Sequence, residues 1–205
     1  SQIPRGHVLV GVAENGVLTK EKEAKGLLWI VGGSGSGKSS STALRVYEDY
    51  ERGHRFLGID PHMFKKDSLT NSVKPYMDRF IEPIAYTPED ILRILKLFLT
   101  EFERRKQPGS KHWPITLLYD EVGSQVSEKA EDETENQIIL KTKEVARVAG
   151  QETRGFEMGV TMISQDAAGL SFLRKRALLA LVHKMQAWSE RLLACNQNAE
   201  VAREM

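Results

Sequence analysis

One cysteine in 205 residues leaves no partner for an internal disulfide, which excludes a small scaffold held together by bridges. Cys195 sits beside Leu192 and Leu193 and reads as a small buried apolar residue, suited to a reducing compartment such as the cytoplasm. No apolar run approaches the ~20 residues of a membrane span, and the N-terminal residues carry no signal-peptide pattern. Charge of one sign is also missing. Twenty-nine Lys and Arg against 28 Asp and Glu leave a formal net charge of +1, so any basic surface for nucleic acid must be local. The five histidines, at 7, 54, 62, 112 and 183, lack metal-ligand spacing and read as surface or edge residues. A hydrophobic content of 40% over this length suits one α/β domain spanning 1–205 with a sizeable core. A chain that begins at Ser1 and stops after Met205 suits an excised piece of a longer protein.

What is present is concentrated in one stretch. Gly32-Gly33-Ser34-Gly35-Ser36-Gly37-Lys38-Ser39 fits G-x-x-x-x-G-K-[ST], the phosphate-binding loop of P-loop nucleotidases. Leu27-Leu28-Trp29-Ile30-Val31 runs into it as a buried parallel strand, and Ala43, Tyr47 and Tyr50 follow at helical spacing up to Gly53. A Gly/Ser linker would not be wedged between an apolar strand and an amphipathic helix. The glycines let backbone N–H groups face phosphate oxygens, and the first helical turn adds its positive dipole end. The expected nucleotide-binding set is Gly32, Gly33, Ser34, Gly35, Ser36, Gly37, Lys38, Ser39 and Ser40. Lys38 should reach the β- and γ-phosphates of ATP, and Ser39 should offer its hydroxyl to Mg²⁺.

Ahead of the loop, His7 to Val12, Asn15-Gly16 and Val17-Leu18 read as a β-hairpin, and the charged stretch Lys20 to Lys25 leads into the apolar strand. Behind it, His54 to Ile59 is a strand ended by Asp60-Pro61, with Asp60 expected at the nucleotide edge of the sheet. The segment from His62 to Tyr76 has no clean period and reads as loop or short helices. A long helix runs from Pro88 to about Lys106, with Thr87 as N-cap, Asp90 completing the cap, and Ile91, Leu92, Leu95, Phe98, Leu99 and Phe102 as its core face.

Ile115 to Tyr119 is a strand ending in Asp120-Glu121, a Walker B pattern. Asp120 is expected to hold Mg²⁺ through water, and Glu121 to act as general base on the attacking water. Ser124 to Glu135 is polar and acidic and reads as a solvated loop plus a helix N-terminus, with a helix through Ile138, Val145 and Ala149. Gly159 to Ser164 is a further strand ending in Ser164-Gln165, where the Gln165 amide can sense the γ-phosphate and orient water. Arg154, just before it, suits either an arginine finger given to a neighbouring subunit or a surface turn. Arg174-Lys175-Arg176, on a short helix within Leu170 to Arg176, suits either DNA phosphates or a solvated face. Leu178 to Val182 reads as a last buried strand and Glu190 to Ala199 as a terminal helix.

In this order the elements resemble the motor domain of FtsK/SpoIIIE-type DNA translocases, within the FtsK–HerA group of P-loop ATPases. The resemblance covers nearly the whole chain. It rests on Val10-Gly11 with its hairpin, the Gly33 to Ser39 loop, Ile59-Asp60-Pro61, Phe102-Glu103-Arg104-Arg105, Leu118-Tyr119-Asp120-Glu121, Arg154 and Ser164-Gln165. It implies a RecA-like, mostly parallel sheet sandwiched by helices, and Mg²⁺-dependent ATP hydrolysis by a hexameric ring that moves double-stranded DNA. The acidic loop after Glu121, and Asp166-Ala167 where the family has Arg-Pro, depart from the pattern. They leave a type VII-like secretion ATPase acting on polypeptides as the alternative. A small-molecule P-loop kinase fits less well, because Glu121 supplies a base for water and no Arg-rich phosphate lid is evident. A non-hydrolysing scaffold would have no need of that base.

Overall fold

Residues 7–12, 18–22, 26–127 and 130–183 are described by a computed structural model, the first two stretches, Ser127 and Arg154 as backbone alone. Strands β1 (His7–Val12) and β2 (Leu18–Lys22) form the expected antiparallel pair, with a register irregularity between Leu9 and Gly11. The second strand takes in Lys20 to Lys22, so part of the charged lead-in is strand. The Asn15-Gly16 turn, Cys195 and the Glu190 to Ala199 helix lie outside the described residues.

A second sheet carries the core. Strand β3 (Leu27–Val31) is followed by β4 (Arg55–Ile59), β5 (Ile115–Tyr119), β6 (Met158–Ser164) and β7 (Leu179–Val182), in the spatial order β4-β5-β6-β3-β7, all parallel. From β3 the chain crosses to the far edge, winds back through β5 and β6, then crosses β3 to reach β7. The connection out of β3 therefore runs toward one edge of the sheet and that out of its neighbour β6 toward the other, and ligands of open parallel sheets collect at the carboxyl ends of strands at such a point.

The five apolar residues of β3 are all buried because the sheet is covered on both faces. Leu27, Trp29 and Val31 pack toward helices α3 (Pro88–Arg105) and α5 (Glu133–Gln151), with which α4 (Val122–Ser127) and α6 (Ser171–Arg176) share a core. Leu28 and Ile30 face the other way, toward Val46 of α1 (Lys38–Glu51) and Leu69 and Val73 of α2 (Leu69–Val73). The sandwiched α/β fold is as expected.

Three local readings change. Helix α1 buries Thr42, Val46, Glu48 and Asp49, while Tyr47 is 47% exposed, so the Ala43–Tyr47–Tyr50 stripe is not its inner face. Burial of the polar face is tolerated because its groups are paired. Arg45 meets Asp49 at 2.9 Å, and the Thr116 hydroxyl donates to Asp49 Oδ2 at 2.9 Å. Strand β7 is half-buried to exposed rather than buried, being at the sheet edge. Helix α4 stands where a loop was expected, and α5 is N-capped by Asp132, whose carboxylate accepts from Glu135 N–H, with Glu133 and Glu135 in the first turn. The period-free segment forms α2 and a 3₁₀ turn at Lys74–Arg79, and residues 80–85 cover the β4 edge through bonds from Ile81 and Ala85 N–H to Phe56 and Gly58 carbonyls.

Helix α3 starts as its sequence predicts. The Thr87 hydroxyl caps Asp90 N–H and meets the Asp90 carboxylate at 3.0 Å. Its end is tied down by Arg105, only 3% exposed, which donates to the Phe156 and Trp113 carbonyls at 2.7 and 2.8 Å and to Glu101 at 2.7 Å. One buried guanidinium thus joins α3 to the segments entering β5 and β6. Arg104 makes its bonds to the same carboxylate from a half-exposed position. Together Arg104 and Arg105 hold the Glu101 carboxyl down at about 2. Arg105→Ala is expected to lower unfolding stability by about 3 kcal/mol, since it strands buried acceptors, and Arg104→Ala by under about 1 kcal/mol. Denaturant titration of both variants checks this. Because the folded pKa of Glu101 is depressed, its contribution is full above pH ~4.5 and lost as pH falls toward 2.

Candidate nucleotide site

Beyond Val31 the chain leaves β3 as the loop from Gly32 to Gly37 and enters α1 at Lys38. Gly37, at φ 99°, is the N-cap in the left-handed region, and among the described residues no side chain caps this helix. The first-turn N–H groups of α1 are therefore left for a ligand, at the positive end of the helix dipole. The loop's other end is held from β6. Gly32 N–H donates to Ser164 O, and the Ser164 hydroxyl accepts from the buried Trp29 indole at 3.0 Å while donating to Asp166 O at 2.8 Å. Ser164 is thus a strut inside the sheet, and only its neighbour Gln165 faces the site.

The loop and the strand ends enclose a cavity of about 280 Å³, whose lining includes Lys38, Ser39, Asp67, Asp120, Glu121 and Gln165. Ser34, Gly35, Ser36 and Gly37 line it as well, whereas Gly32, Gly33 and Ser40 do not. Lys38 Nζ donates to the Gly32 and Gly33 carbonyls at 2.7 and 3.0 Å, which fixes the ammonium at the loop mouth. Burial lowers its pKa, against the opposing pull of Glu121, Asp120 and Asp67. A further cavity, of about 220 Å³ and lined by Gly26, Arg52, His54 and Thr116, lies at the opposite edge of the sheet, away from every loop residue.

Strand β5 delivers the acidic pair. Asp120 is pushed up to about 7 by burial, with Glu121 and Asp60 adding to the rise and the Glu121 N–H it accepts working against it. Such a carboxylate gains from a cation beside it, and the Ser39 hydroxyl lines the same cavity. Among the described residues there is no cluster of three His, Cys, Asp or Glu side chains able to hold a metal by itself. An oxygen pair of this kind fits Mg²⁺, whose remaining positions go to water and phosphate. Glu121 occupies the left-handed region at φ 52°, unusual for a residue with a Cβ, and its carbonyl accepts from Ser124 at the start of α4. The strained turn aims its carboxylate across the cavity, where Gln165 Nε2 donates to Glu121 Oε1.

Other expected residues lie apart. The Asp60 carboxylate accepts from His62 N–H, Thr70 N–H and the Thr70 hydroxyl, so it braces the loop after β4 instead of facing the nucleotide edge freely. The backbone of Arg154 belongs to a 3₁₀ turn, Thr153–Phe156, that precedes β6; its side chain lies outside the description. The seven residues of β6 separate that turn from Gln165 by about 20 Å. Arg174, Lys175 and Arg176 form the last turn of α6, Lys175 exposed and its neighbours half-buried. Two site residues escaped the sequence reading. Asp67 came from the period-free segment, which offered no signal, and His183, read as a surface residue, lies behind the loop.

The strand–loop–helix unit, the acidic pair at the end of the next-but-one strand and the order of the parallel sheet define a P-loop ATPase fold. No protein-family model matches the chain, and no curated protein matches its sequence. Solved structures do. The pCW3 conjugation coupling protein TcpA, in a monomer form with ATPγS, has a TM-score of 0.76 at 13% identity over 98% of this chain and 60% of its own. ATPases 2 and 3 of EccC from Thermomonospora curvata, in complex with a signal sequence peptide, have 0.63 at 14% identity over 86% and 33%. The genome packaging NTPase B204 of Sulfolobus turreted icosahedral virus 2, with AMPPCP, has 0.58 at 14% identity over 89% and 86%. The chain shares the fold of these three proteins, and it spans 60% of the coupling protein and a third of the EccC chain. Among the described residues no helix is long and apolar enough to cross a membrane.

Among the described residues Lys38 is the one cation in the cavity lining, and Lys38→Ala is expected to weaken ATPγS binding by at least about tenfold. Calorimetric titration checks this; equal affinity would detach the cavity from phosphate binding.

Proposed function

We propose that this chain is the motor domain of an ATPase that works as a hexameric ring and drives double-stranded DNA through it, in chromosome segregation, conjugative transfer or packaging. The observation that carries the reading is the convergence of Lys38, Ser39, Asp120, Glu121 and Gln165 on one cavity beneath the uncapped end of α1. Residues 1–205 act as one domain, in the cytoplasm where ATP is supplied.

Each group has a role that follows from its chemistry. Backbone N–H groups of the loop, including those at Ser40 and the first turn of α1, bind phosphate oxygens, and Lys38 turns from the loop carbonyls to the β- and γ-phosphates. Ser39 and Asp120 would hold Mg²⁺, which when bound would neutralise charge on the phosphate oxygens. Glu121 accepts a proton from a water as its oxygen attacks the γ-phosphorus and the bond to the ADP oxygen breaks. Gln165, bonded to Glu121, keeps that carboxylate turned toward the water. Arg154 is too far along β6 to serve its own cavity and suits the site of a neighbouring subunit. Arg105 bonds the Phe156 carbonyl and so steadies the turn that carries it.

TcpA and the packaging NTPase support DNA as the substrate, and Arg174, Lys175 and Arg176 after Gln165 offer phosphate-neutralising charge to it. A second reading, a type VII-like secretion ATPase acting on polypeptides, is favoured by the EccC likeness and by the acidic residues Glu131 to Glu135.

Glu121→Gln is expected to lower ATP turnover at least about 100-fold while ATPγS still binds, since the base is lost and the cradle kept. Arg154→Ala protein mixed with Glu121→Gln protein should regain hydrolysis that neither has alone. Mixtures that co-assemble without recovery would contradict a finger given in trans. Joint replacement of Arg174, Lys175 and Arg176 by Ala should reduce the salt dependence of DNA binding by up to about three charges' worth of slope; an unchanged slope would favour the polypeptide reading.

A further inference from the structure

His183 lies at the end of β7, and its N–H donates to Val31 O at 2.7 Å, extending the β3–β7 ladder one step beyond Val182. That bond sets the residue directly behind the loop, which leaves β3 at Gly32. The approach is close. A Cβ on Gly32 would fall 2.5 Å from His183 Cβ, and one on Gly37 would fall 3.7 Å from the imidazole Nδ1. Nδ1 itself is 3.1 Å from the Ser36 carbonyl oxygen. A carbonyl oxygen only accepts, so Nδ1 carries the proton and donates. Burial, and the Lys38 ammonium after it, lower the pKa of the ring, while the bond to Ser36 acts the other way. His183 is not part of the cavity lining and touches the site only through the loop.

We propose that His183 is a positioning residue of the phosphate-binding loop, whose Nδ1–H holds the Ser36 carbonyl back so that the Gly37 N–H is presented to phosphate. The ground is peptide planarity. In a trans unit the Ser36 C=O and the Gly37 N–H point in opposite directions, so fixing one fixes the other. The unit needs fixing because Gly37, at φ 99°, has no Cβ to oppose rotation of that peptide. A flipped unit would turn a carbonyl oxygen onto the phosphates and replace attraction by repulsion. The histidine therefore selects the binding-competent loop from the opposite side, and Gly32 is small because the imidazole stem occupies the space a side chain would need. The inference rests on the reading of the cavity as a nucleotide site.

The test is calorimetric binding of Mg²⁺-ATPγS to the full chain and to His183→Ala, His183→Asn and His183→Gln, with the melting temperature of each measured without nucleotide. Asparagine Nδ2 is as many bonds from Cα as histidine Nδ1, whereas glutamine Nε2 is one bond further. The expected result is affinity lost by about tenfold in Ala and Gln, and kept within about threefold in Asn, at similar melting temperatures for Asn and Gln. Ala or Gln binding as tightly as the native chain, or Asn as weak as Gln at equal melting temperature, would overturn the proposal. If Ala does not fold, the Asn–Gln pair decides alone. A native chain that does not bind ATPγS overturns the nucleotide reading and this one with it, whereas native binding with unaffected variants overturns only the role of His183.

Discussion

The start of α1 is a helix end that, among the described residues, no side chain caps, directly at the mouth of a central parallel strand. Buried or half-buried N–H groups left without partners are costly, so the molecule is shaped to deliver acceptors to them from outside. The sheet order does this by bringing the ends of β5 and β6 beside the loop. With them come Asp120, Glu121 and Gln165, none of which is near Lys38 in sequence. The cavity concentrates positive groups from the loop and negative groups from β5 within one enclosure. A ligand carrying phosphates and a divalent cation satisfies both sets at once.

Rigidity around this point comes from ordinary devices. Trp29 and Ser164 bond across the β3–β6 pair, and alternate residues of β3 enter two separate cores, so the loop springs from a strand that cannot shift register without exposing both. Arg105 performs the equivalent task at the other edge of the sheet, where it fixes the turn before β6. The strain at Glu121 is supported by the turn into α4 and by Gln165. The two edges of the sheet are thus held differently, one at the open loop before α1 and the other as a firm platform for the Arg154 turn.

Much of this was legible in the sequence because it depends on short-range chemistry. The loop pattern, the apolar strands into Gly32 and Asp120, and the Thr87–Asp90 cap are each contained within a few residues. The inner face of α1 was not legible. Polar Thr42 and Asp49 lie on it, and their burial is tolerable because Thr42 bonds the Lys38 carbonyl while Asp49 is held by Arg45 and the distant Thr116. Asp60 read as a site residue because its strand ends at the right edge, yet Thr70, ten residues on, takes its carboxylate. His183 is separated from Ser36 by 147 residues and joins the loop only through the pairing of β7 with β3. Contacts that depend on sheet order leave no local pattern to find.

The proposed motor requires a cavity that hydrolyses ATP once neighbouring chains complete it. Steady-state ATP hydrolysis at low salt, with and without long double-stranded DNA and across a range of protein concentrations, tests that claim directly. The turnover per chain is predicted to rise steeply with concentration and to be strongly stimulated by DNA. A turnover per chain that is independent of both would contradict it.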